Sequence, residues 1–198
     1  MKTKANIFIY VIMIFFFSQC GNENEPQITN KVEIKYRYSD RYLIKEEYQN
    51  NRIMFKTVLN KNTVEVKEKT EFFENGNIKK WNFYRKASKY PMFISYFDSI
   101  GNYSQIKGTP FVSSGTTKDG EVVVELVNPP KLKLVLTYRE FNKGILQHQI
   151  SYEPFKTDTT SWVTLDEYKP VAGNKYFVCC KFYSNGVFVD SISNELLP

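Results

Sequence analysis

Histidine occurs once in the 198 residues, at His148, cysteine three times and alanine three times, at Ala5, Ala87 and Ala172. Each scarcity narrows the possibilities. With one histidine and no Cys/His cluster, a zinc site would have to be assembled almost entirely from carboxylates. A Ser-His-Asp arrangement would have to use His148, and no G-x-S-x-G elbow accompanies any serine. No glycine-rich phosphate loop is present. The adjacent carboxylates Glu46-Glu47 and Asp166-Glu167 would point to opposite faces of a strand and could not share one acid–base task. So little alanine argues against a helical protein, which normally uses its best helix former freely.

What the chain has instead is aromatic residues, 16% of the total with 14 Tyr and 16 Phe, a composition that favours strands. The formal net charge is +6. Two of the 27 basic residues, Lys2 and Lys4, precede Cys20 without any acid, and without them 25 bases stand against 21 acids. Acids and bases then alternate along the chain, as in "KVEIKYRY" and "TVEVKEKTE". That mixture suits a solvated strand face and not a nucleic-acid stripe, so no nucleic-acid partner is expected. No cofactor and no metal are expected either.

The first residues form an address. After Lys2 and Lys4 comes an uninterrupted apolar run of 11 residues, Ile7 to Phe17. A membrane-spanning helix needs about 20, whereas a secretory signal core needs about 7 to 15. Phe17-Ser18-Gln19-Cys20 follows the run. It resembles the lipobox of bacterial lipoproteins, with Gln19 where a small residue is usual. The resemblance implies cleavage after residue 19 and acylation of Cys20, hence attachment to a membrane through a lipid anchor. The polar "GNENEPQITN" that follows has the composition of a flexible tether over 20–30. Glu23 and Glu25 are similar to the acidic signals that send some Gram-negative lipoproteins to the cell surface. The expected location is the bacterial cell envelope, at the outer membrane or cell surface.

From Lys31 onward, alternation with a period of two dominates. In "KVEIKYRY" the side chains of Val32, Ile34, Tyr36 and Tyr38 share one face and Lys31, Glu33, Lys35 and Arg37 the other, the pattern of a half-buried antiparallel strand with the apolar set inward. Three similar stretches follow at even spacing: "YQNNRI", "FENGNI" and "FDSIGNY", with Asn51, Gly76 and Gly101 each 25 residues apart. Each places Asn or Gly where a tight hairpin needs positive φ. The pattern resembles the hairpin repeats of MORN-type and related families over about Arg41 to Val112, and implies an antiparallel repeat sheet over 31–112.

"SSGTTKDG" breaks the alternation and reads as a linker over 113–120. Beyond it, about six short strands are expected over 121–198. Val122, Val124 and Leu126 form one inward set, and Leu132, Leu134, Leu136 and Tyr138 the next. Pro129-Pro130 separates them, because proline cannot donate to a ladder. Gly173-x-x-Tyr176-x-Val178 resembles the penultimate strand of immunoglobulin or fibronectin type III domains. The resemblance implies a small β-sandwich in which Tyr176 bonds back to the backbone as a corner. Cys179 and Cys180, neighbours on that strand, would face opposite ways and could not bridge without strain.

The expected fold is therefore all-β: an antiparallel hairpin-repeat sheet followed by an immunoglobulin-like sandwich. The expected role is that of a non-catalytic binding module with a protein or glycan partner. Trp81, Tyr84 and Tyr96 are the candidate aromatic binding surface, since exposed Tyr and Trp make platforms for sugars and proteins. Two alternatives are a carboxylate-based glycan hydrolase and a lipoprotein immunity protein.

Overall fold

The computed structural model describes residues 31–156, 160–166 and 168–196. The signal segment, Cys20 and the tether lie outside the described residues. The described chain is all-β, with fifteen strands. The first seven are β1 (Val32–Tyr38), β2 (Tyr42–Gln49), β3 (Arg52–Asn60), β4 (Val66–Phe72), β5 (Ile78–Phe83), β6 (Phe93–Phe97) and β7 (Tyr103–Gly108). They form one antiparallel meander in chain order. The two-residue segment Thr109-Pro110 leads into β8 (Phe111–Thr116), β9 (Val122–Val127), β10 (Lys133–Asn142), β11 (Ile145–Tyr152), β12 (Phe155–Lys156), β13 (Thr160–Leu165), β14 (Asn174–Ser184) and β15 (Val187–Leu196). These eight make two four-stranded sheets, ordered β12-β13-β9-β8 and β11-β10-β14-β15. That is the pairing order of an immunoglobulin-type sandwich.

The hairpins at one end of the meander are built by the 25-residue pattern. Asn50 and Asn51 both take positive φ between β2 and β3. The next two turns are identical in bonding. The Phe73 N–H donates to Asn77 O (2.8 Å) and the Gly76 N–H to Phe73 O (2.9 Å). One repeat later, the Asp98 N–H donates to Asn102 O (2.9 Å) and the Gly101 N–H to Asp98 O (3.0 Å). The neighbouring turns are also tied together, since Asn75 and Asn77 both donate side-chain N–H groups to Ser99 O (2.6 and 2.9 Å).

The stretch expected as a linker is a third copy of this turn. The Thr117 N–H donates to Glu121 O (2.8 Å) and the Gly120 N–H to Thr117 O (3.1 Å), with Gly120 at φ +85°. Phe111–Thr116 is a strand paired with β9. Ser, Thr and Gly serve a hairpin as readily as a linker, so the sandwich begins at Phe111, not after Gly120, and has eight strands where about six were expected.

The meander and the sandwich share one core. Trp81, Phe83, Phe93 and Ile106 of the meander join Val124, Leu126, Leu134, Leu136, Tyr138, Val163, Leu165, Val178, Cys180 and Phe182 in a single buried cluster. Phe93 and Phe182 meet across the junction with ring centroids 5.7 Å apart. The Tyr103 hydroxyl donates to Asp190 on β15 at 2.8 Å. Within the sandwich the expected inward sets are buried apart from half-buried Val122, and Tyr176, Val178, Cys180 and Phe182 are each 1% exposed or less. The tyrosine corner is present, with the Val171 N–H donating to the Tyr176 hydroxyl at 2.5 Å. Replacing Tyr176 with Phe should cost about 1 kcal/mol in denaturant unfolding, the net worth of that bond. An unchanged midpoint would show the corner to be idle. Cys179 and Cys180 are both buried and unbridged.

Two phenols, buried Tyr138 and half-buried Tyr103, set an alkaline limit. Burial, and then the hydrogen bond and charge of Asp190, raise the Tyr103 pKa above its ordinary value. Burial, and then the charge of Glu140, raise that of Tyr138. Ionisation is thus harder in the folded chain than in the unfolded one, where tyrosine titrates near 10. Stability should be level from neutral pH to about pH 9 and fall above about pH 10, by at most about 1.4 kcal/mol per pH unit for each phenol and less for half-exposed Tyr103. Urea midpoints against pH test this, and Tyr103→Phe should flatten part of the decline.

Candidate binding face

Register decides which meander side chains share a face, and between the bulges of the β2-β3, β3-β4, β4-β5 and β6-β7 pairings, rows run across all seven strands. Arg37, Ile44, Val58, Glu68, Phe83, Phe93 and Gly108 form one inner row; Lys35, Glu46, Lys56, Thr70, Trp81, Ser95 and Ile106 form the other. The charged residues of both rows lie on β1 to β4, and the apolar end, on β5 to β7, meets the sandwich. At the charged end, Glu46 is 6% exposed and is held by Arg37 (3.0 Å) and the Tyr48 hydroxyl (2.9 Å).

The opposite face is open and carries two rows of its own. One is Tyr36, Lys45, Thr57, Lys69, Asn82, Ile94 and Lys107; the other is Ile34, Glu47, Phe55, Glu71, Lys80, Tyr96 and Gln105. The first strand departs from expectation here. Its apolar set, Val32, Ile34, Tyr36 and Tyr38, faces outward and is exposed, Tyr38 by 69%. Alternation separates two faces but does not say which one is covered.

The candidate aromatic residues go to three different places. Trp81 is 3% exposed and belongs to the core, where its indole N–H donates to Glu68 (3.0 Å), so it offers no platform. Its parity with Phe83, two residues on, puts both inward. Tyr84 is half-buried beside a cleft of about 600 Å³ between the meander and the sandwich, lined also by Tyr42, Lys67, Arg85, Ser113 and Glu125. Burial raises its phenol pKa. Tyr96 lies on the open face. Lys80 of β5 and Lys107 of β7 place their ammonium groups 5.5 and 5.6 Å from its ring centroid, one from each flanking strand. Lys69 lies likewise 5.0 Å from the Phe55 ring centroid. Such contacts hold a cation in a partly desolvated, ordered position.

Aromatic content alone marks the rings and not the lysines interleaved with them. The signal was available in the alternation of β5, where Lys80 and Asn82 must lie opposite Trp81 and Phe83. A second cleft of about 560 Å³ is lined by Glu68, Trp81, Pro129, Pro130, Lys131 and Tyr183. Among the described residues, no group of three or more His, Cys, Asp or Glu side chains could hold a metal ion.

Compared with known protein families, curated proteins and solved structures, the chain matches none.

Proposed function

We propose that the chain is a lipid-anchored binding protein of the bacterial cell envelope, joined to a membrane through Cys20 and engaging its partner with the open face of the meander. The observation that carries this reading is the division of labour between the two faces. One packs its apolar end on the sandwich, and the other holds Tyr36, Phe55 and Tyr96 among lysines toward solvent. A sheet of seven strands closed on one side only is a broad surface, with aromatic and cationic groups of the kind that recognise proteins and sugars. The apolar run ending at Cys20 and the polar stretch before Lys31 support the anchor. Fully extended, the residues from Cys20 to Val32 reach about 40 Å, enough to let the sheet stand clear of headgroups.

Two measurements test the two halves separately. Labelled fatty acid should be incorporated by the native chain and lost in Cys20→Ala. Cross-linked pull-down from cells should recover a partner with the native chain and lose it when Tyr96 is replaced with Ala. Label that persists without Cys20 would refute the anchor. A partner retained by the Tyr96 variant would refute the face.

A further inference from the structure

Lys45 and Glu71 on the open face are balanced, by Glu47 at 3.0 Å and Lys79 at 2.6 Å. Lys69, Lys80 and Lys107 have no carboxylate partner among the described residues and are held over rings instead. The three stand on β4, β5 and β7, which spreads the positive charge over about 14 Å of sheet at the usual strand spacing. The ammonium groups of Lys80 and Lys107, on either side of Tyr96, lie within about 11 Å of each other.

From this arrangement of cations we infer that the open face over β4 to β7 binds an extended polyanion, an acidic polysaccharide with carboxylate or sulfate groups. This rests on the reading of the open face as the binding surface and specifies its ligand. The surface is an open sheet rather than a pocket, so it suits a chain better than a small molecule. Lysines from both neighbouring strands lie over the Tyr96 ring, so its role is to order the cations, which lowers the entropy cost of engaging the ligand. The exposed apolar stripe of β1 lies at the other end of the sheet, away from the three unbalanced cations, which separates this site from a bilayer-docking surface.

The test uses the full chain in phosphatidylcholine nanodiscs with labelled polygalacturonate and dextran sulfate as probes, and with neutral dextran, oligothymidylate and phosphatidylglycerol vesicles as comparators. Both acidic polysaccharides should bind, neutral dextran should not, and the affinity should fall steeply with added salt. The K80Q/K107Q variant should lose about tenfold in affinity, while K118Q/K143Q, of equal net charge but on sandwich turns, should bind as the native chain does. Equal loss in both variants, or no binding to either acidic polymer, would overturn the inference. So would equal or tighter binding to oligothymidylate or to the vesicles, which would make the face a nucleic-acid or lipid-headgroup surface. If acidic polymers fail while pull-down still depends on Tyr96, the ligand class falls and the binding face stands. If neither depends on this face, both fall.

Discussion

Replacing Gly108 with Ala should destabilise the protein by about 3 kcal/mol or more, far beyond the effect of the same change at Gly76. Both glycines have positive φ, +91° and +83°, so each alanine pays the backbone strain of a left-handed residue, about 1 kcal/mol. Around Gly76 there is nothing within 4 Å of the added carbon, and the cost ends there. At Gly108 the new Cβ would lie 2.1 Å from the carbonyl oxygen of Met92 and 3.2 Å from the Cα of Phe93. Neither can yield cheaply. The Met92 oxygen accepts the Thr109 N–H at 2.9 Å, the bond that leads the chain out of the meander, and Phe93 is fully buried in the shared core. Overpacking of this kind typically adds about 1–3 kcal/mol. Urea unfolding of both variants measures the difference. Equal midpoints would mean that the chain does not pass so close at this junction.

Replacing Phe182 with Ala should cost about 3–5 kcal/mol, the usual range for a large aromatic removed from a core. The more telling outcome is which parts of the molecule respond. Phe182 belongs to the sandwich, but its ring meets Phe93 of the meander, and the two units contribute to one buried cluster. Tryptophan emission offers a probe on each side, Trp81 in the meander and Trp162 on the sandwich. Both should report a single unfolding transition that shifts as one in the Phe182 variant. A double-mutant cycle with Phe93→Ala should give a coupling of about 0.5–3 kcal/mol, as expected for residues in contact. Two transitions, with only the sandwich destabilised, would mean that the units fold independently.

The alternation of the sequence made most of the strands legible, and the register of the sandwich core with them. Val124, Leu126, Leu134, Leu136 and Tyr138 are buried as their parity required. Tyr176 could be placed because a corner needs one hydroxyl at one strand start. Which face of β1 is inward and whether Trp81 is platform or core are settled by what packs on the meander from outside its own sequence. Whether Ser113–Gly120 links or pairs is settled by β9, because the same Ser, Thr and Gly serve a linker or a hairpin. The sandwich covers the inner face at β5 to β7, so Trp81 is buried, while the apolar set of β1 lies on the open face and stays exposed. The lysine positions on the open face were written in the same alternation, but their significance depends on neighbouring strands that bring Lys80 and Lys107 to one ring.

Photo-crosslinking in cells tests the role of the open face most directly. A diazirine side chain at Tyr96 or Tyr36 should yield covalent adducts with the partner, whereas the same group at Phe188 or Trp162, exposed on the sandwich, should yield none. Adducts from the sandwich positions with none from Tyr96 or Tyr36 would contradict the account and move the binding surface to the other half of the molecule.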